Sequence, residues 1–237
     1  MLEVPGYVSV VFILTTFVTI AFLLQAARAA GLQRLPSRIL IFLLIVWIFF
    51  QAALAASGFY INTSVLPPRL LIFGVLPTLL LIAAYFLFFR RSFIEKLPLS
   101  LLTLLHTVRI PVELVLAWLA AAGMVPEIMT YHGCNFDIVS GILAPIVYYF
   151  AGRKGRVNRT VLIAYNILGL LLLANIVTIA VLSLQTPFQQ FGLDQPNKAV
   201  LHFPYIWLPT IVVPAVMFAH LASLWQIFFC KPTLSKA

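Results

Sequence analysis

Long apolar runs separated by short polar or proline-rich connections dominate the chain. A run of about 20 apolar residues is the length an α-helix needs to cross the hydrocarbon core of a bilayer. Seven such segments are predicted, at about residues 7–30, 39–60, 70–89, 99–123, 137–151, 160–184 and 205–229. The fifth is short for a span. Either it runs with little tilt and starts earlier, or part of the preceding loop dips into the membrane, where irregular backbone survives only if protein or water satisfies it. The expected fold is all-α, a polytopic membrane protein forming one seven-transmembrane-helix bundle over residues 1–237.

Composition excludes a water-soluble alternative. The chain is 63% hydrophobic and 9% charged, against about 45–50% and about 25% for a soluble domain. The net charge of +9 would suggest nucleic acid in a soluble protein. Here the basic residues cluster in short loops, so they report topology and no nucleic-acid partner is expected. The first segment is too long for the apolar core of a removable signal, and MLEVPG before it has no positive charge, so it is expected to remain as a span.

The loops set the orientation. One side collects Arg28, Arg34 and Arg38, then Arg90, Arg91 and Lys96, then Arg153, Lys154, Arg156 and Arg159, and finally Lys231 and Lys236. The other side has only Arg69 and Lys198. By the positive-inside rule the N-terminus lies outside and the C-terminus is cytoplasmic, as expected in a bacterial inner membrane or another plasma membrane. Cys134 and Cys230 then fall about a bilayer apart and cannot pair within one chain.

The fourth segment carries the candidate chemistry. His106, Arg109 and Glu113 are spaced i, i+3, i+7, within roughly 60° of one another on a helix surface. Pro111 between them should bend the helix. Ionisable groups at membrane depth are costly and mark a functional site by default. At 1.5 Å per residue, His106 lies roughly 10–12 Å deep, Arg109 roughly 16 Å and Glu113 roughly 22 Å. His220 in the seventh segment reaches a depth comparable to His106, and Gln51 in the second lies near the level of Arg109. Asn166 and Asn175 lie near the levels of His106 and Glu113 on opposite faces of the sixth segment, so at most one joins the cluster comfortably.

Arg109 and Glu113, at i and i+4, can form an intrahelical ion pair. Alternatively they line a polar cavity in which Arg109 meets an anion or Glu113 carries a proton. His106 and His220 read as interhelical hydrogen bonders, as part of a proton or substrate path, or as haem or zinc ligands. HExxH, HxxxH and CxxC are all missing. A second polar group, Glu127, His132, Asn135, Asp137, Asp194 and His202, falls at the outer ends, where Asn135 or Asp137 can cap the fifth helix and the others line a mouth. Prolines 204, 209 and 214 distort the outer part of the seventh segment, and the carbonyls they free face a cavity or a neighbouring helix. That segment has no Lys, which excludes a retinal Schiff base there.

The expected function is binding or translocation of a small anionic or protonatable solute at His106, Arg109, Glu113, Gln51, Asn175 and His220, with Glu127, His132, Asp137 and His202 at the outer mouth. A membrane-embedded metal- or haem-dependent enzyme or redox protein is one alternative. A non-catalytic membrane subunit whose polar residues only join helices is another.

Overall fold

A computed structural model describes residues 4–63, 65–151 and 158–230. Among these residues the chain is all-α, with no strand. We number the helices α1 (Gly6–Gly31), α2 (Leu35–Ala56), α3 (Leu71–Phe88), α4 (Leu99–Ala121), α5 (Asp137–Ala151), α6 (Arg159–Leu182) and α7 (Leu208–Phe229). Six of them are long and apolar enough to cross a membrane, and α5 is a shorter apolar helix. The chain is therefore a multi-pass helical membrane protein. The basic residues Arg153, Lys154, Arg156, Lys231 and Lys236, which contribute to the expected orientation, lie outside the described residues.

The expected segments and the helices agree to within a few residues, except for α2, which starts and ends four residues early. Its first turn contains Pro36, whose fixed φ and missing N–H suit that position. The helix stops at Ala56, and Gly58 with φ +76° reverses the chain beyond it.

Two helices form the centre. About 67% of the apolar window of α4 and of α7 is buried, against 17% for α2 and α3. Helices α1, α5 and α6 pack on the central pair, and α2 with α3 presents a largely lipid-type surface, including Phe42, Phe49 and Phe88.

Proline positions explain where the helices depart from α geometry. Each interior proline removes the N–H that would bond the carbonyl four residues back. Helix α4 tightens to a 3-10 turn at His106–Val108, just before Pro111. Helices α3 and α7 open into π turns at Leu71–Val75 and Leu208–Val212, around Pro77, Pro209 and Pro214. The carbonyls freed by Pro77 and Pro214 belong to Phe73 and Thr210. Gln51 Nε2 donates to Phe73 O at 2.9 Å, and Trp47 Nε1 donates to Thr210 O at 3.1 Å. Helix α2 thus supplies the side chains that replace both lost backbone bonds.

The two loops at the other end of α4 interlock. Lys198 N and Ala199 N donate to Met124 O at 2.9 and 3.1 Å, and Gln195 Nε2 reaches the carbonyls of Ala120 and Val125 at 2.9 and 2.5 Å. Met124, Val125, Met129, Thr130 and Asn135 of one loop and Asn197, Val200 and Leu201 of the other are buried. The loop before α5 therefore folds into the end of the bundle, which is why α5 itself can be short.

A substitution series tests the proline accounting. Gln51 also accepts a 2.7 Å bond from Tyr60 Oη, so Gln51→Leu strands two buried polar groups at about 1–3 kcal/mol each. Gln51→Leu should lower the unfolding midpoint in mild detergent by several degrees, and adding Pro77→Ala, which returns an N–H to Phe73 O, should recover part of it. No recovery in the double variant would show that Gln51 does not act by serving the freed carbonyl.

Candidate functional site

Arg109 sits in the middle of α4 with 2% of its surface exposed. A guanidinium stays charged and presents five N–H donors, so an apolar bundle can hold it only with a counter-charge and several acceptors. Three helices supply them. Arg109 Nη1 donates to Asp137 Oδ1, from the first turn of α5, at 2.7 Å. Both terminal nitrogens lie 3.3 Å from Gly169 O of α6. Nη2 lies 3.1 Å from His220 Nε2 of α7.

Glu113 is not the partner of Arg109, so the intrahelical pair expected from the spacing does not form. The physical reason lies at the start of α5. Asn135 Oδ1 accepts the N–H of Asp137 at 3.1 Å, a capping bond that leaves the Asp137 carboxylate free for Arg109. Asn135 Nδ2 meanwhile donates to Glu113 Oε1 at 2.5 Å and to Met129 O at 3.0 Å. Asp137 accordingly belongs to the centre and not to the outer mouth; it is 6% exposed.

The tautomer of His220 follows from its neighbours. Asn166 Nδ2 donates to Leu162 O, which leaves Asn166 Oδ1 to accept from His220 Nδ1–H at 2.8 Å. His220 Nε2 is then an acceptor for Arg109. Gly169 is required beside it, because a Cβ there would run into the His220 ring and approach Ser140 Oγ at 3.0 Å.

His106 stacks on His220, with ring centroids 3.7 Å apart and planes at 15°, and meets Tyr165 edge-on at 5.7 Å. Both its ring nitrogens are buried and meet no hydrogen-bond partner among the described residues. The stacked geometry argues against a shared haem or zinc, since two axial imidazoles point their nitrogens at one metal and do not lie face to face. His220 has both nitrogens engaged as well. Among the described residues no group of three His, Cys, Asp or Glu side chains could hold a metal ion.

The remaining expected residues do not join this centre. Gln51 serves Phe73 and Tyr60 instead. Asn175 is exposed and donates to Cys134 O at 2.8 Å; the asparagine that joins is Asn166. Glu127 and His132 are exposed, and His202 is half-buried in the other loop. The centre lies between α4, α5, α6 and α7, and α2 takes no part in it. Sequence reasoning missed Gly169 altogether, as a small residue in an apolar run carries no signal of what will lean against it.

Next to the charged centre is a cavity of about 110 Å³. Its wall is apolar, with Val112, Leu116, Leu173 and Ile176 from α4 and α6, and Leu208 from α7. Glu113 and Asp137 are the acidic groups on it, and Met129, Asn197 and Val200 close it from the interlocked loops. Glu113 Oε2 is buried and meets no hydrogen-bond partner among the described residues.

Residues 66–228 match the family described as Domain of unknown function (DUF8737). The chain belongs to this family. No curated protein and no solved structure matches it. The region that defines the DUF8737 family holds Arg109, Glu113, Asn135, Asp137, Asn166, Gly169 and His220, together with the lining of the cavity. Helices α1 and α2, with Trp47 and Gln51, precede it.

The two carboxyl groups should respond differently to neutralisation. Asp137→Asn strands a buried guanidinium and should cost about 3–5 kcal/mol, read as a large drop in thermal midpoint or in yield of folded protein. Glu113→Gln keeps the acceptor used by Asn135 and should cost far less. Equal losses in the two variants would mean that Arg109 depends on both acids.

Proposed function

We propose that this chain spans the membrane seven times, with its N-terminus outside and its C-terminus cytoplasmic, and binds a proton or a small cation at Glu113 in the cavity beside the Arg109 centre. Within the reading of a small anionic or protonatable solute, the geometry favours the protonatable one. The carrying observation is Glu113 Oε2, buried on the cavity wall with no hydrogen-bond partner among the described residues.

Arg109 and Asp137 neutralise each other at 2.7 Å, so Arg109 offers no free charge to an anion. Glu113 then stands as a second carboxyl whose only hydrogen bond among the described residues comes from the neutral amide of Asn135. A carboxylate removed from water needs a partner that neutralises it. A proton or a cation small enough for the cavity supplies that partner, and the apolar wall suits a cation with a small alkyl group. Exchange of the occupant past the interlocked loops is binding; passage beyond it, past the Arg109 centre, is transport.

The test uses the whole protein in mild detergent and in proteoliposomes. Unfolding midpoints are measured from acid to alkaline pH and against the chlorides of sodium, potassium, ammonium and methylammonium. A ligand at about 100 times its Kd stabilises the folded state by about 2.7 kcal/mol, a shift of several degrees. The wild type should respond to a cation, or lose stability as rising pH removes a bound proton. Glu113→Gln should abolish that response. Identical responses in the two proteins overturn the reading. A pH-sensitive dye inside proteoliposomes separates binding from transport, since only transport changes the lumen.

A further inference from the structure

A second cavity, of about 250 Å³, lies between α1, α2, α3 and α7, away from the Glu113 site. Its wall is apolar almost throughout, with Leu23, Leu40, Trp47, Leu81, Tyr85 and Phe218 from all four helices. It opens at the lipid-type surface, where Val46 on its margin is 47% exposed. A dry apolar space of this kind takes up apolar matter, not water.

The charges at one end say which matter. Tyr85 Oη donates to Pro36 O at 2.7 Å, tying the end of α3 to the first turn of α2. Leu40 and Tyr85 mark the corresponding end of the cavity. Arg34 and Arg38 flank that turn of α2, and Arg90 and Arg91 follow α3; all four are exposed. Arg34 bridges the two loops by reaching Ser92 O at 3.5 Å, Arg38 bonds Gln33 at 2.5 Å, and Arg90 lies 5.6 Å over the Trp225 ring. None of the four forms an ion pair among the described residues. Glu95 is the one exposed acid in the loop between α3 and α4.

We propose that this groove binds an anionic phospholipid of the surrounding leaflet, one acyl chain in the cavity and the phosphate among Arg34, Arg38 and Arg90. Lipid tails are as apolar as the cavity wall, so filling it gives contact but little preference for one lipid over another. Selectivity comes from the headgroup, and a basic residue near the surface of an anionic membrane contributes about fivefold in affinity.

Trp47 on the cavity wall is the reporter. The intact protein is placed in phosphatidylcholine nanodiscs that contain a small fraction of phosphatidylglycerol, with bromine on the acyl chains of one lipid or the other. The Trp47 signal is the wild-type fluorescence minus that of Trp47→Phe. Brominated phosphatidylglycerol should quench it far beyond its mole fraction. Arg34→Gln, Arg38→Gln and Arg90→Gln together should weaken that preference by at least tenfold, with quenching by brominated phosphatidylcholine rising as it takes the vacated place. Quenching by each brominated lipid in proportion to its mole fraction overturns the headgroup assignment. Absence of quenching by either, or native mass spectra showing lipid-free dimers, overturns the site, the latter assigning the face to a second copy of the chain.

Discussion

A guanidinium buried in an apolar bundle constrains everything around it. Arg109 cannot shed its charge, so its surroundings must supply an anion and enough acceptors to replace water. Asp137 is the anion, and Gly169 O and His220 Nε2 are the acceptors. Each places a demand on the next residue out. Asp137 is free to pair because Asn135 takes over the capping bond. His220 can accept because Asn166 fixes the proton on its other nitrogen. The Gly169 carbonyl is within reach because that position has no side chain to hold α6 away. One charge on α4 thereby fixes the approach of α5, α6 and α7, and the specificity of the packing comes from polar matching where apolar surfaces alone would slide.

Helix α2 applies the same logic without any charge. Prolines in α3 and α7 leave carbonyls that a bilayer cannot hydrate. Gln51 and Trp47 meet two of them, and the distortions persist as π turns. Gln51, expected in the polar centre from its depth, is occupied in keeping a bent helix satisfied. Polar residues in a membrane bundle thus divide into those that settle a backbone debt and those with a capacity left over.

The fold was readable because bilayer thickness imposes a length and hydropathy pattern on every span, and six helices of this chain obey it, with α5 a shorter apolar helix. The identity of the central residues was readable in part, for the same reason: Arg109, Glu113 and His220 are conspicuous where nearly all else is apolar. Their partnerships were not. The i, i+4 spacing of Arg109 and Glu113 permits a pair within one helix, but a carboxylate from another helix competes, and its success depends on where a loop ends and α5 begins. That register is set by Asn135, 22 residues from Glu113 in sequence, and no local pattern encodes it. Asn166 and Asn175 illustrate the same limit. Periodicity says that they face opposite ways, and only the packing of α6 decides which one looks inward.

What separates Glu113 from its neighbours is a carboxyl oxygen left without a partner among the described residues at the wall of a cavity. Arg109, Asp137, His220, Asn166 and Asn135 are joined by hydrogen bonds, with Arg109 Nε left without a partner among the described residues, and such networks behave as structural fixtures. Glu113 spends one oxygen on Asn135 and keeps the other at a cavity. Retaining a carboxyl there has no structural rationale, because a glutamine would serve Asn135 equally well and carry no charge to neutralise. Under the proposed function, this buried acid is the group that exchanges a proton or a small cation. In that proposal the neutralised Arg109–Asp137 pair alongside keeps the exchange selective, since a free guanidinium would repel a cation, whereas a paired one leaves the second carboxyl to set the sign of the site.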